Sequence, residues 1–298
     1  MNPNKKSLLI FTSLVLIFVT IACSFGSPTP FSSSTTPTPS VSSSTPGVSV
    51  PSATAPVVQS GSPYVEQVTA QINILTGETG TATATCPENG LMVGGGFASG
   101  KGLKVTKTMP DSGNWVVVGQ NNSTATLSLA VYAVCLHNVP GTIKIVSAQV
   151  PASGAPFVWC QNNEIATGGG YAFDSNSLEV YINTPVGETN SAQQGWSVMA
   201  RNNQSADQPV SVYVVCLLGS SLKRTLIRDQ VTFGPDSNSL NFTLACPNGS
   251  FMIAGGYEGT GVYINRIDPT DISLWDVQVQ GKYFFDGSLD HAVCLSLP

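Results

Sequence analysis

The chain has 298 residues, of which 42% are hydrophobic and 10% are charged, and its formal net charge is −5. With only 12 Lys and Arg it lacks the basic face that binding to nucleic acid requires, so we exclude that class of partner. The low charge and the 29 glycines are typical of an extracellular β-protein rather than a helical cytosolic enzyme.

The N-terminus has the pattern of an export signal. Two lysines precede an uncharged apolar stretch, 8–22, which is shorter than the roughly 20 residues that cross a bilayer as a helix. The residues Thr20–Cys23 resemble the lipobox of bacterial lipoproteins. This resemblance implies that 1–23 is a signal peptide, that Cys23 is lipidated, and that a membrane is the partner of the anchor. An ordinary secretory signal, or an uncleaved anchor in which Cys23 is incidental, is the alternative.

The segment 24–63 consists almost entirely of Ser, Thr, Pro and small residues and carries no charge. Such a composition cannot bury enough apolar surface to offset the conformational entropy that ordering would cost. We therefore predict a disordered linker that holds a folded head away from the membrane.

The other six cysteines belong to a threefold repeat that covers 64–298. In each copy a small-residue triplet begins eight positions after the first cysteine, and a tryptophan lies 19 or 20 positions before the second. The cysteine pairs are Cys86 with Cys135, Cys160 with Cys216, and Cys246 with Cys294. The triplets and tryptophans are Gly94–Gly96 with Trp115, Gly168–Gly170 with Trp196, and Ala254–Gly256 with Trp275. The copies are predicted to span 64–139, 140–219 and 220–298.

Each copy contains six short segments rich in Val, Thr and Ile, separated by Gly, Pro, Asn and Asp. This pattern predicts six β-strands per copy and about eighteen in all, without helices. The expected fold class is all-β and antiparallel. Three copies favour a pseudo-threefold assembly like a β-prism, and three tandem small β-sandwiches are the alternative.

The succession Cys-Pro-x-Gly, Gly-Gly-Gly, a Trp strand and Val-Cys resembles repeats found in exported bacterial proteins, some of them at the ends of stalks. The resemblance implies an extracellular β-module, and no catalytic activity is associated with it. Sequence separations of 48 to 56 residues within each cysteine pair are too wide for a zinc knuckle, so a disulfide is expected in an exported protein.

The other features that recur among the copies, and the scattered histidines and aspartates, have structural explanations. The glycine triplets lack the Lys-Ser or Lys-Thr of a phosphate loop, so we interpret them as bulges or close backbone approaches, with the Trp indole packed above. The tryptophans fit a core position better than a sugar-stacking surface, because each begins an apolar strand. His137 and His291 are expected at the surface or at strand ends, and Asp268, Asp271 and Asp276 in ordinary turns.

Two variable loops are the candidate ligand surfaces. The segment Gly187–Gly195 is about seven residues longer than its counterparts, and Tyr283, Phe284 and Phe285 stand where the other copies have polar residues.

The sequence predicts no catalytic residue, metal or cofactor. It favours a non-catalytic, lipid-anchored surface protein for adhesion or envelope structure. A lectin-like module that binds cell-wall or environmental glycan, a partner among other surface proteins, and an extracellular polymer hydrolase are the alternatives.

Overall fold

The computed structural model describes residues 61–152, 154, 156–189, 191–202, 208–230, 240–279 and 289–298. This part of the chain contains eighteen β-strands and no helix, which confirms the all-β prediction. The first copy provides β1 (Tyr64–Ile74), β2 (Thr79–Thr85), β3 (Leu91–Ser99), β4 (Leu103–Asp111), β5 (Asn114–Asn121) and β6 (Leu127–His137). The second provides β7 (Thr142–Pro151), β8 (Phe157–Trp159), β9 (Ile165–Ala172), β10 (Leu178–Val186), β11 (Gly195–Asn202) and β12 (Pro209–Leu218). The third provides β13 (Lys223–Gln230), β14 (Leu240–Ala245), β15 (Ser250–Glu258), β16 (Val262–Ile267), β17 (Leu274–Val279) and β18 (Leu289–Ser296).

The strands form three six-stranded sheets, and each sheet combines three strands from one copy with three from another. Sheet I has the order β1-β6-β3-β16-β17-β14, sheet II the order β13-β18-β15-β10-β11-β8, and sheet III the order β2-β5-β4-β9-β12-β7. Every pair of copies therefore shares one sheet, which closes a cyclic, prism-like arrangement. The alternative of tandem sandwiches is wrong, because in the described residues each sheet is made by two copies.

The copies join through equivalent antiparallel strand pairs. Strand β3 pairs with β16 through Phe97 and Asn265, β4 with β9 through Thr108 and Tyr171, and β10 with β15 through Asn183 and Tyr257. In each junction the third strand of one copy meets the fourth strand of its neighbour. The same register recurs at all three junctions, so the sequence repeat corresponds to a repeat in how the strands pair.

The second and third positions of each triplet require glycine, because an indole crowds the former and the backbone of the neighbouring copy crowds the latter. A Cβ atom added at Gly95 would lie closer than 3.0 Å to the Trp115 indole, and one added at Gly170 would lie equally close to the Thr108 carbonyl oxygen of the neighbouring strand. A Cβ at Gly168 would meet the backbone of Val93 and Gly94, in the triplet strand of copy 1. The predicted close approach is therefore confirmed, both within and between copies.

The three repeat tryptophans lie in the core, as the sequence predicts. Trp115, Trp196 and Trp275 are at most 1% exposed. Each indole Nε1 donates a hydrogen bond to the fourth strand of its own copy, over distances of 2.7 to 3.0 Å, to Thr108 Oγ1, Asn183 Oδ1 and Asn265 Oδ1 respectively. The indole thus packs on glycine and satisfies its only polar group inside the core.

The three disulfides connect the sheets in a ring. Cys86 bonds to Cys135, Cys160 to Cys216 and Cys246 to Cys294, which confirms the predicted pairing within each copy. In each copy the first cysteine follows a strand of one sheet and the second lies in a strand of another sheet. The bonds therefore join sheet III to I, sheet II to III, and sheet I to II. Among the residues that the structure describes, no helix is long and apolar enough to cross a membrane.

Candidate functional site

A cleft of about 620 Å³ opens where the three equivalent hairpins β3–β4, β9–β10 and β15–β16 converge. We call it the axial cleft, because all three copies contribute to its wall. A cleft of this size accommodates a ligand of a few sugar or amino-acid units, and the meeting point of repeats is a common position for a binding site.

The floor of the axial cleft contains two of the aromatic residues that directly follow the glycine triplets, Tyr171 and Tyr257. Both are 2% exposed, and the Tyr257 hydroxyl donates to the Tyr171 hydroxyl over 3.4 Å. Burial raises the pKa of Tyr171 to about 12, and burial followed by the neighbouring Tyr171 raises the pKa of Tyr257 well above its ordinary value. The two hydroxyls therefore stay protonated and can serve as hydrogen-bond donors and acceptors.

Lysine side chains from the first copy lie over aromatic rings from the other two. Lys101 Nζ is 5.3 Å from the centre of the Tyr263 ring, and Lys104 Nζ is 5.9 Å from the centre of the Phe173 ring. Both separations are within the range of cation–π attraction. Lys104 Nζ also donates to the Asn176 carbonyl oxygen. Burial lowers the pKa of Lys104, and the carboxylate of Glu179 opposes that shift.

Glu179 provides the only carboxylate among the described residues that line the axial cleft. Its Oε2 accepts hydrogen bonds from Arg201 Nε at 2.8 Å and Nη2 at 2.6 Å, across the β10–β11 pair. Both donors belong to one guanidinium group, so Glu179 takes part in an ion pair across these two strands. The cleft thus combines aromatic faces, hydroxyls, two ammonium groups and one paired carboxylate, which is the chemistry of binding.

Both histidines are buried, so the expectation of surface positions is wrong, whereas the expected strand-end position is found for His137 and not for His291. His137, which is 5% exposed, ends β6, stacks on Tyr64 with ring centres 4.5 Å apart, and places Nε2 3.0 Å from Glu66 Oε2. His291, which is 4% exposed, lies inside β18, where its Nδ1 is 2.6 Å from Thr184 Oγ1 of the neighbouring copy. Packing at the copy junction covers His291, a contact that no sequence spacing reveals.

The long loop Gly187–Gly195 lies partly on β13 of the third copy. The Gly187 carbonyl accepts from Arg224 Nη1 at 3.2 Å, and Glu188 Oε1 accepts from Arg228 Nη1 at 2.8 Å. Arg224 is 2% exposed, and burial lowers its pKa to about 10. This half of the loop therefore covers an edge strand, which protects it from pairing with another chain.

Asp290 and His291 are neighbours whose pKa values shift in opposite directions. Burial, with the charges of Glu258 and Asp229, raises the pKa of Asp290 to about 8. Burial, with the charges of Arg228 and Arg224, lowers the pKa of His291 to about 4. Between pH 4 and 8 the folded state therefore binds more protons than the unfolded chain at Asp290, and stability falls as pH rises. At His291 the folded state binds fewer protons between pH 4 and 6.5, and stability falls as pH drops.

We expect Asp290→Asn to be more stable than the wild type at pH 8, by about 2 kcal/mol, and to lose that advantage as pH falls towards 4. Asparagine has no carboxyl group to ionise, so the free-energy cost of a buried carboxylate at high pH is removed. His291 is unchanged in this variant. Unfolding by denaturant at pH 4, 6 and 8 measures the difference. Asp111→Asn, which removes an exposed acid of the first copy and leaves Asp290 and its charged neighbours in place, is the control and should retain the loss at high pH. Parallel pH profiles for wild type and Asp290→Asn would contradict the assignment.

The acidic turn of the third copy is held by its own hydrogen bonds, as the sequence predicts for Asp268 and Asp271. The same expectation is wrong for Asp276, which lies inside strand β17. Asp268 Oδ1 accepts from the Thr270 backbone N–H and hydroxyl, and Asp271 Oδ1 accepts in the same way from Ser273. These bonds lower the pKa of both aspartates. The carboxylates thus close Asx turns.

One group of metal-ligand types occurs among the described residues, formed by Cys160, Glu164 and Cys216. The two sulfurs are bonded to each other, and Glu164 Oε2 accepts from the Gln161 backbone N–H at 2.9 Å. In this oxidised form the sulfurs are not thiolates, so they do not provide the ligands that a soft metal needs.

Two groups of predicted site residues lie outside the described residues. These are the lipidation site Cys23 and the aromatic segment Tyr283, Phe284 and Phe285. Both remain predictions.

Sequence reasoning did not single out one pair of exposed aromatic residues, Phe157 and Trp159 on β8. They are 46% and 39% exposed, and their ring centres are 5.7 Å apart. Trp159 is the one tryptophan of four that stands outside the repeat spacing. That departure from the repeat is the signal that would have identified it.

No protein-family model matches the chain, and no curated protein is similar to it.

Proposed function

We propose that the chain is an exported, lipid-anchored protein whose prism-like head is displayed at the cell surface for adhesion or envelope structure. Export is supported by the three disulfides. Their second cysteines, Cys135, Cys216 and Cys294, are 0% exposed, so the bonds are built into the core rather than added to the surface. Structural disulfides of this kind form in oxidising compartments.

The axial cleft is the observation that supports binding rather than catalysis. Hydrolysis of a glycosidic bond ordinarily needs two carboxyl groups that flank the scissile bond. The described lining of the cleft has one, Glu179, and its Oε2 already accepts two hydrogen bonds from Arg201. A hydrolase is therefore the weakest of the three functions that the sequence leaves open.

Labelled fatty acid should enter the wild-type protein and not Cys23→Ala, because the thiol of that residue is the acceptor in the lipobox-like sequence. Electrophoresis of the labelled, extracted protein gives the measurement. Ser24→Ala is the matched control and should label as the wild type does. Protease added to intact cells should degrade the head of the wild type and of the control. Equal labelling of wild type and Cys23→Ala would remove the anchor, and protection of the head from protease would remove surface display.

A lectin-like module is the second candidate, and the composition of the axial cleft favours it. Aromatic faces such as Tyr263 stack on the apolar face of a pyranose, and the hydroxyl, ammonium and carboxylate groups can bond to its polar edge. Under this candidate, the full-length protein is retained on an insoluble polysaccharide and a soluble oligosaccharide of the same kind releases it.

A further inference from the structure

The exposed aromatic pair on β8 is held in a fixed arrangement. Phe157 and Trp159 point to the outer face of sheet II, because the residue between them, Val158, is 4% exposed and packs in the core. The two rings are inclined by 20° to each other. Large aromatic side chains that stay half exposed beside each other on a rigid strand mark an interaction surface more often than scattered apolar residues do. We call this pair the aromatic platform.

The other two copies show that the fold does not require aromatic residues here. Counted back from the first cysteine, the equivalent positions are Thr83 and Thr85 in copy 1 and Thr243 and Ala245 in copy 3. All four are exposed on the last strand of their sheets, as the platform residues are. The same backbone thus carries small residues twice and two large aromatics once, so the aromatic pair is a property of copy 2 rather than of the prism.

The neighbouring strand leaves space for the platform. Trp159 is paired with Gly195 and Phe157 with Ser197. A Cβ atom at Gly195 would lie 2.9 Å from Cε3 of the Trp159 ring. The corresponding partners are Asn114 in copy 1 and Leu274 in copy 3. Glycine therefore occurs opposite the tryptophan and is absent where the strand carries a small residue. A side chain at position 195 would meet the Val158 carbonyl oxygen as well as the indole.

The platform has uncharged polar neighbours. The turn that follows β8 presents Gln161, Asn162 and Asn163, all exposed, and Gln193 is exposed on the chain that enters β11. The acid at the end of the turn, Glu164, is buried and already accepts the Gln161 N–H. Amide groups next to a flat aromatic surface can bond to hydroxyl groups in both directions, as donors and as acceptors.

We propose that the aromatic platform binds a neutral polysaccharide, with the C–H faces of pyranose rings stacked on Phe157 and Trp159 and the amide side chains bonded to the hydroxyls. Anionic lipid surfaces attract basic residues, and the turn beside the platform has none. The Nζ of Lys144 on β7 lies near this turn, where it is paired with Glu164 Oε1 at 3.4 Å. A second copy of the chain would need roughly 800 Å² per partner, far more than two side chains provide. The inference rests on the lectin-like candidate and adds the ligand class and a site separate from the residues of the axial cleft.

The decisive variant is Phe157→Thr/Trp159→Thr, which introduces the residues that copy 1 already carries at these positions and so preserves the fold. Retention of the full-length protein on insoluble cellulose and chitin, with cello- and chito-oligosaccharides as competitors, is the measurement. We expect the dissociation constant for at least one of these polysaccharides to rise by about tenfold or more. Trp159→Phe, which keeps a ring, should weaken binding by less than the double variant.

Leu75→Thr/Ile272→Thr is the matched control, since it removes two exposed apolar side chains that do not form an aromatic pair, 55% and 53% exposed in the wild type. It should bind as the wild type does. If the wild type is not retained on any polysaccharide, the lectin-like function and the platform both fail. If the wild type is retained and the double Thr variant binds equally well, only the platform fails. Binding to phosphatidylcholine vesicles that depends on the pair, with no competition by sugar, would also overturn the proposal.

Discussion

Alanine at Gly170 is expected to lower the free energy of unfolding by about 4 kcal/mol or more, or to prevent the head from accumulating in folded form. A Cβ atom there would meet the carbonyl oxygen of Thr108 at the junction between copies 1 and 2. Backbone on the opposing strand cannot rotate away as a side chain can. Relief therefore requires the two strands to separate, and sheet III would lose the pairing that joins its halves. Unfolding by denaturant, with the disulfides intact, gives the magnitude.

The matched substitution is Gly100→Ala. The three atoms nearest to its added Cβ all belong to the side chain of Leu127, the closest at 2.9 Å, and a leucine side chain can adjust. We expect a change of less than about 1 kcal/mol, since one methyl group against a flexible neighbour costs little. A Gly170→Ala protein as stable as Gly100→Ala would show that the copies are not in close backbone contact at this junction.

Much of the fold follows from the sequence because the repeat is carried by residues with few structural alternatives. A glycine triplet at a fixed distance from a cysteine, with a tryptophan at a fixed distance from the next, predicts a close approach covered by an indole. Gly95 under Trp115 and Gly169 under Trp196 show that arrangement. Period-two alternation and turn residues predict the strands, and the structure shows all eighteen.

The sharing of sheets was harder to predict because it depends on which strand edges meet. Nothing in the local pattern of β4 states that its partner is β9 of the next copy rather than a strand of its own. The signal is the glycine at the third position of each triplet, where an added Cβ would meet backbone of the neighbouring copy. A Cβ at Gly256 would meet the backbone of Asn183, and one at Gly96 that of Asn265, across two other junctions.

The candidate site was predicted less well than the fold, because its residues are the ones that differ among copies. The axial cleft depends on Lys101, Lys104 and Glu179, which come from two copies and are brought together by the pseudo-threefold arrangement. The burial of His291 against Thr184 likewise depends on a contact over 107 positions. The spacing of repeated residues identifies the positions that the copies share. The residues of the candidate binding surface differ among the copies, so that spacing does not identify them.

Replacing both members of the second disulfide, in Cys160→Ala/Cys216→Ala, is expected to lower the free energy of unfolding by about 4 kcal/mol. The bond closes a loop with a sequence separation of 56 residues, and its loss restores chain entropy to the unfolded state. Both sulfurs are replaced so that no free thiol remains to exchange with the other two bonds. Thermal and denaturant unfolding measure the loss, and peptide mapping without reduction should still recover the links Cys86–Cys135 and Cys246–Cys294.

The form of the transition tests the architecture more directly than its midpoint does. The missing bond joins sheet II to sheet III, and these sheets contain strands from all three copies. Removal of this disulfide should therefore destabilise the whole head, and the variant should unfold in one transition at a lower midpoint. If the copies were independent, about a third of the signal would be lost early while the rest unfolded as in the wild type. Two transitions of that kind would contradict the shared sheets, because strands paired across a junction cannot unfold in one copy alone.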